Sequence, residues 1–222
     1  MLKHKYLGAI LIILAASCSP SNQASDFTRG EIRTIESADS IMRVLTIDDP
    51  ADCHVLRAPS HDLSDDALLS SDYEKLAELM VATVTHPSQD GVGIAGPQVG
   101  LNRRVVAVQR FDKEPVLRAG RLDHPFEVYP NIRIVWASDS LATGPEGCLS
   151  VPDRRGDVLR STEIVIEYAD ITGLKDADSK SNPAQPAGGT VPIVRDTVSG
   201  FTAVIFQHEI DHLEGVLYID RL

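Results

Sequence analysis

His208-Glu209-Ile210-Asp211-His212 constrains this chain more than any other five residues. Two histidines four apart on a helix lie one turn from each other on the same face, so both rings can reach a single metal ion. Phe201, Val204, Ile205, His208 and His212 share one stripe, which puts the ligands on the buried side of that helix. Gly215 is the stop signal beyond it. Glu209 falls at the edge of the ligand face, close enough to act as a base on water at the ion.

Two imidazoles do not complete a metal site. Glu146-Gly147-Cys148-Leu149-Ser150 supplies a third candidate, because a Cys148 thiolate would make a His₂Cys set with a fourth position open to water or substrate. The competing reading of Cys148 is a buried, inert cysteine. A third segment, Gly91 to Gly100, carries four glycines in ten residues and lets the backbone approach a ligand closely. It lacks the Lys-Ser/Thr of a nucleotide phosphate loop. Its Gln98 is a neutral donor suited to polarising a carbonyl or holding an oxyanion.

Around these motifs the chain reads as one α+β domain. Ser64 to Thr85 predicts a helix, capped by Ser64 or Asp65, with Leu69, Tyr73, Leu76, Met80 and Val84 on one apolar face. Arg104–Phe111, Phe126–Ala137 and Thr162–Ile171 are rich in Val and Ile and read as strands. Val44–Pro59 reads as loop and short extended pieces, and Asp176–Gly189 as an exposed loop. Strands between two helices imply antiparallel sheets around a C-terminal metal-binding helix. A formal net charge of −11 repels phosphate backbones, so nucleic acid is excluded as a general partner. Three cysteines are too few for a disulfide scaffold.

The N-terminus has a different character. Lys3 and Lys5 precede an apolar run from Tyr6 to Ala16, the pattern of a signal peptide over residues 1–17 and too short to span a bilayer. Leu14-Ala15-Ala16-Ser17-Cys18 resembles a bacterial lipobox, which implies a lipid anchor at Cys18. Residues 18–43 then serve as a polar tether and 44–222 as the catalytic domain. That organisation implies a membrane-anchored lipoprotein facing the periplasm or cell exterior. The alternative is a cytoplasmic protein whose start lies further downstream. With Cys18 lipidated and Cys148 on a metal, Cys53 has no partner, so no internal disulfide is expected.

Taken in order, the glycine-rich segment, Glu146–Ser150 and His208–His212 resemble the bacterial peptide deformylase family. Its pattern is G-x-G-x-A-A-P-Q, then E-G-C-L-S, then H-E-x-D-H. The resemblance covers about residues 44–222 and implies a peptide-deformylase-like α+β fold. It implies a metal-dependent hydrolase that removes the N-formyl group from N-formylmethionyl peptides or proteins and releases formate. By that resemblance Cys148, His208 and His212 bind one divalent ion, typically Fe²⁺ with Zn²⁺ or Ni²⁺ accepted, and Glu209 is the general acid/base. Gln98 and the Leu149 N–H would hold the oxyanion, and Val92, Gly93 and Gly147 the peptide backbone. Val92, Leu149, Phe201, Val204, Ile205 and the His208 ring would line the first side-chain pocket. Asp211 would support the ligands from behind, while Arg155 and Arg160 match basic positions of the family.

The expected partners are N-formylated peptides or protein N-termini, met by a monomer. The chain departs from the pattern at Gly96, which is expected to loosen the backbone before Pro97-Gln98, and at Tyr129-Pro130. It departs again in a longer Lys175–Val198 loop and in the signal peptide. Two other readings stand beside this one: another exported metal-dependent amidase or peptidase, and an inactive formyl-peptide-binding lipoprotein. The intact Glu209 counts against the second.

Overall fold

Strand β2 (Val105–Gln109) is buried along its whole length, and the reason lies on its two faces. In the computed structural model, which describes residues 24–118, 120–172 and 190–222, this strand lies between two helical layers. Val105 and Ala107 pack into a core with Tyr73, Leu76, Met80 and Val84 of helix α4 (Ser71–Val84). Val106 and Val108 point the other way, onto Ala203, Phe206, Ile210 and Leu213 of helix α5 (Gly200–Leu213). Alternation with a period of two thus serves two cores at once.

Short helices α1 (Arg29–Glu36), α2 (Pro50–Leu56) and α3 (Asp65–Leu68) precede α4. Strand β1 (Gly93–Ala95) leads through a 3₁₀ turn, Gly96–Val99, to β2. A hairpin β3–β4 (Val116–Arg118, Arg121–Asp123) follows, then β5 (Phe126–Pro130) and β6 (Arg133–Ala137). The long hairpin β7–β8 (Leu141–Cys148, Val151–Ser161), β9 (Glu163–Ala169) and β10 (Ile193–Ser199) come before α5, and a second 3₁₀ turn, Tyr218–Arg221, follows it. Two antiparallel three-stranded sheets, ordered β1-β2-β5 and β10-β9-β6, flank α5, as an α+β chain with a C-terminal metal-binding helix requires.

Three sequence expectations are corrected. The helix expected over Ser64–Thr85 is two helices, because Ser64 and Ser70 both act as N-caps, accepting from Ala67 N and Tyr73 N. Leu69 falls at the break and is 51% exposed instead of lying on the apolar face. Val44–Pro59, expected as loop and extended pieces, contains α2: Asp49 caps it and Pro50 occupies its first turn.

The third correction concerns the tether expected over residues 18–43. Residues 24–43 belong to the folded domain. Thr28 and Glu31 form a reciprocal capping box that starts α1, and Ile35 and Met42 are buried in the α4-side core. Arg103, itself 4% exposed, clasps this segment: it donates to Glu31 at 2.6 and 2.8 Å, to Ser25 Oγ at 2.8 Å and to the Asp26 carbonyl at 2.7 Å. Composition concealed this, because the anchor is ionic. The signal peptide, Cys18 and the loop expected over 176–189 lie outside the described residues. The stretch 193–198, counted in the long loop, lies in strand β10. Tyr129, a departure from the family pattern, packs edge-on against Phe206 and Tyr168 at 5.0 and 4.8 Å.

Candidate active site

Three elements converge on one cavity of about 780 Å³. Helix α5 brings His208 and Glu209 and carries the buried His212 one turn on; the end of β7 brings Cys148; the 3₁₀ turn after β1 brings Gln98. One donor atom each from Cys148, His208 and His212 lies within 4.8 Å of the others, and Cys148 Sγ is 3.2 Å from His212 Nε2.

His208 Nδ1 lies 2.7 Å from Glu146 Oε2, which turns Nε2 toward the Cys148 sulfur. Glu146 is held in turn by a two-pronged ion pair from Arg160 at 2.7 and 2.9 Å. Arg160 also donates to Asp211 Oδ2 at 2.6 Å, and Arg221 binds both Asp211 oxygens. Asp211 therefore supports the site through Arg160, one step further from the ligands than Glu146. Glu146 was the residue sequence reasoning missed, although it opens the segment that carries Cys148. Tyr218 closes the back of the site, its ring stacked on His208 with centroids 6.0 Å apart.

Electrostatics follow from this packing. Burial would raise the Glu146 carboxyl, but Arg160 and His208 outweigh it and hold the group down to about 2. Burial works against protonation of His208, yet its hydrogen bonds to Cys148 and Glu146 push it up to about 10. His212 is driven the other way by burial and by the charge of His208. Soft sulfur with two imidazoles is a donor set for a borderline divalent ion, and the buried His212 Nδ1 and Glu209 Oε2 lack protein partners. These residues fit a metal.

Glu209 is wholly enclosed, and desolvation, aided by the Glu146 charge, raises its carboxyl to about 7. It packs on Gly93, where a methyl would overlap Oε1 and come within 2.9 Å of the carboxyl carbon. Gly93 is therefore required by Glu209. Gly96 is required too, and does not loosen the backbone as expected. A Cβ there would lie 2.6 and 2.7 Å from the Arg103 and Leu101 carbonyl oxygens. This tight turn aims Gln98. Its Oε1 accepts from Ala95 N at 2.8 Å, leaving Nε2 to donate to Ser150 Oγ at 3.2 Å and toward Cys148 Sγ at 3.6 Å.

The remaining residues singled out in the sequence are brought to the same cavity. Val92, Gly93, Gly147 and Leu149 line one part; Phe201, Val204 and Ile205 line another, with Phe201 exposed at the mouth. Among the described residues, β1 and β7 each have one edge without a strand partner. Cys53 lies on α2 and is not in this cluster; both it and Cys148 are free thiols.

The chain resembles known proteins over most of its length. A family model described as polypeptide deformylase matches residues 41–178 and 192–222. A peptide deformylase of Leptospira biflexa is 33% identical over 184 residues, covering 82% of this chain and 88% of that protein. Peptide deformylase 2 of Gloeobacter violaceus is 36% identical over 168 residues, 76% of this chain and 74% of its own. Among solved structures, the Met-Ala-Ser-bound class I type b peptide deformylase of Acinetobacter baumannii superposes with a TM-score of 0.63. It is 30% identical, covering 82% of this chain and 98% of that one. The Thermotoga maritima enzyme gives 0.62 at 27% identity, covering 83% and 99%. With the fold, the three motifs and the ligand cluster in agreement, the chain belongs to the peptide deformylase family of metal-dependent hydrolases, which remove N-formyl groups from peptides.

Proposed function

We propose that the chain hydrolyses the formamide of N-formylmethionyl peptides or protein N-termini through Glu209, and that Cys148, His208 and His212 hold the metal, Fe²⁺ before Zn²⁺ or Ni²⁺. The observation that carries this reading is Glu209 itself, a buried carboxylate with an unpartnered oxygen beside three ligand atoms. When bound, a divalent ion supplies Lewis-acid chemistry, making water acidic and a carbonyl electrophilic. The chain's own groups do the rest. Glu209 takes a proton from the attacking water and delivers it to the leaving amine, for which a carboxyl near 7 is well matched. Gln98 Nε2 and the Leu149 N–H donate to the oxygen that gains charge. The unpaired edges of β1 and β7 take the peptide as an added strand at Gly93 and Gly147. Val92, Phe201, Val204 and Ile205 enclose its first side chain and keep water out.

Formate release from formyl-Met peptides, set against the acetylated and unblocked peptides, tests this reading. Turnover of acetylated peptides at the formyl rate would replace it with a general amidase. Gly93→Ala sharpens the test, since the added methyl must displace the Glu209 carboxyl. Metal content should hold while turnover falls about 100-fold, the scale of a ~1 Å misplacement. Unchanged formate release at normal metal content would remove Glu209 from the mechanism.

The same reading extends to location: a lipoprotein anchored at Cys18, acting outside the cytoplasm as a monomer on formylated peptides or exported N-termini. The support is the sequence pattern alone. Fractionation of cells expressing wild type and Cys18→Ser checks it. Wild type is expected in the membrane and the variant in the soluble fraction; soluble wild-type protein in the cytoplasm would end the lipoprotein reading.

A further inference from the structure

The rim of the cavity carries two arginines that the reaction does not use. Arg154 and Arg155 are exposed, and neither holds a carboxylate among the described residues. Two other exposed arginines, Arg29 and Arg33 of α1, also hold no carboxylate among the described residues, but they do not line the cavity. Arg103, Arg104, Arg110 and Arg160 are all paired with acids, as are the surface residues Arg43, Arg57, Arg195 and Arg221.

Their direction is built into the β7–β8 hairpin. In a regular strand, adjacent side chains point to opposite faces. Here the register breaks: Gly147 pairs with Arg155, but the next residue, Cys148, pairs with Val151. The intervening residues bulge, with Asp153 in the left-handed region at φ 59°. A bulge re-aims side chains, and this one turns both Arg154 and Arg155 to the cavity. Arg155 also folds across its partner. Its Cγ and Cζ lie 3.5 and 3.8 Å from where a Gly147 Cβ would stand. The guanidinium thus lies over the β7 residue assigned to the substrate backbone.

We propose that Arg154 and Arg155 form a carboxylate-recognition subsite that selects formyl peptides carrying an acid downstream of the formylated residue. The inference rests on the reading of β7 as the substrate edge. A guanidinium gives a carboxylate charge-assisted hydrogen bonds in a fork geometry that an amide cannot match. The rim is not basic throughout, because Asp90 and Asp153 line the same cavity. Selectivity is therefore confined to a carboxylate held over β8, and a general preference for anionic peptides does not follow. Two sources offer that group: an Asp or Glu side chain, and the free C-terminus of a short peptide.

The test compares C-terminally amidated formyl-Met peptides carrying Asp or Asn at the second, third or fourth residue, and formyl-Met-Ala as free acid or amide. kcat/KM on wild type is measured alongside equilibrium binding of the same peptides to Glu209→Gln protein, which reads affinity without turnover. Exposed ion pairs of this kind give about a two- to fivefold preference for the acid at one position, carried by KM and weakened by salt. In Arg154→Gln/Arg155→Gln that ratio is expected to fall to about one, and in Arg155→Glu to invert. A gain with amidated Asp peptides assigns the subsite to side chains; a gain confined to the free acid assigns it to peptide ends. Equal Asp and Asn values at every position, with no gain for the free acid, overturn the subsite while leaving the deformylase reading intact. A wild-type protein that turns over no formyl peptide at all fails that earlier reading instead.

Discussion

Glu209→Gln is expected to keep its metal and lose at least ~100-fold in formate release, the usual scale for a positioned acid/base group. The substitution preserves shape, which matters because the side chain is sealed against Gly93. Among the described residues it removes the only carboxylate whose oxygen is buried, unpartnered and beside the candidate ligand cluster. Glu146 cannot take over. Its oxygens are committed to Arg160 and His208, and its carboxyl is held near 2, too weak a base to carry a proton at neutral pH. Metal analysis and a formate assay on the same preparation decide the matter. Near-normal turnover in a fully loaded variant would show that another group moves the proton.

Cys148→Ala should remove both metal and activity. Sulfur contributes one of three converging donors, and His212 Nε2 has Cys148 Sγ as its hydrogen-bond partner, so truncation leaves two imidazole donors where a third is needed. Second-order losses follow, since Gln98 Nε2 and Ser150 N also point at that sulfur. Cys53→Ala is the control, because Cys53 sits on α2 outside the cluster. Elemental analysis after gel filtration should find metal in the control and little in Cys148→Ala. Equal retention in both would sink the ligand assignment.

The parts of the site that repeat a local rule were legible in the sequence. His208 and His212 declare themselves through helical spacing, and the helix read from their apolar stripe and stopped at Gly215 is α5, Gly200–Leu213. Cys148 was legible only together with its neighbours, because nothing in a lone cysteine separates a ligand from filler. The Arg160–Glu146–His208 chain was not legible. It depends on the register of the β7–β8 hairpin, which a bulge shifts, and on how that hairpin meets α5. Helix α1 escaped for a related reason. Its polar sequence resembles a linker, and what holds it is Arg103, 72 residues from Glu31. The break between α3 and α4 shows the opposite failing: the apolar spacing ran on through Leu69 while a second serine cap ended the first helix.

The Arg103 clasp also sets a length scale. A tether of residues 18–43 would give the domain a wide orbit about its anchor, but the clasp fixes the chain from Ser25 onward. For a protein anchored at Cys18, six residues separate the anchor from Ser25, whose distance from it is bounded by a contour of about 20 Å. That is shorter than the diameter of a domain of this size. The enzyme would then work in a thin layer against the bilayer, where confinement raises its effective concentration toward peptides emerging from the same surface and lowers it toward those in the bulk.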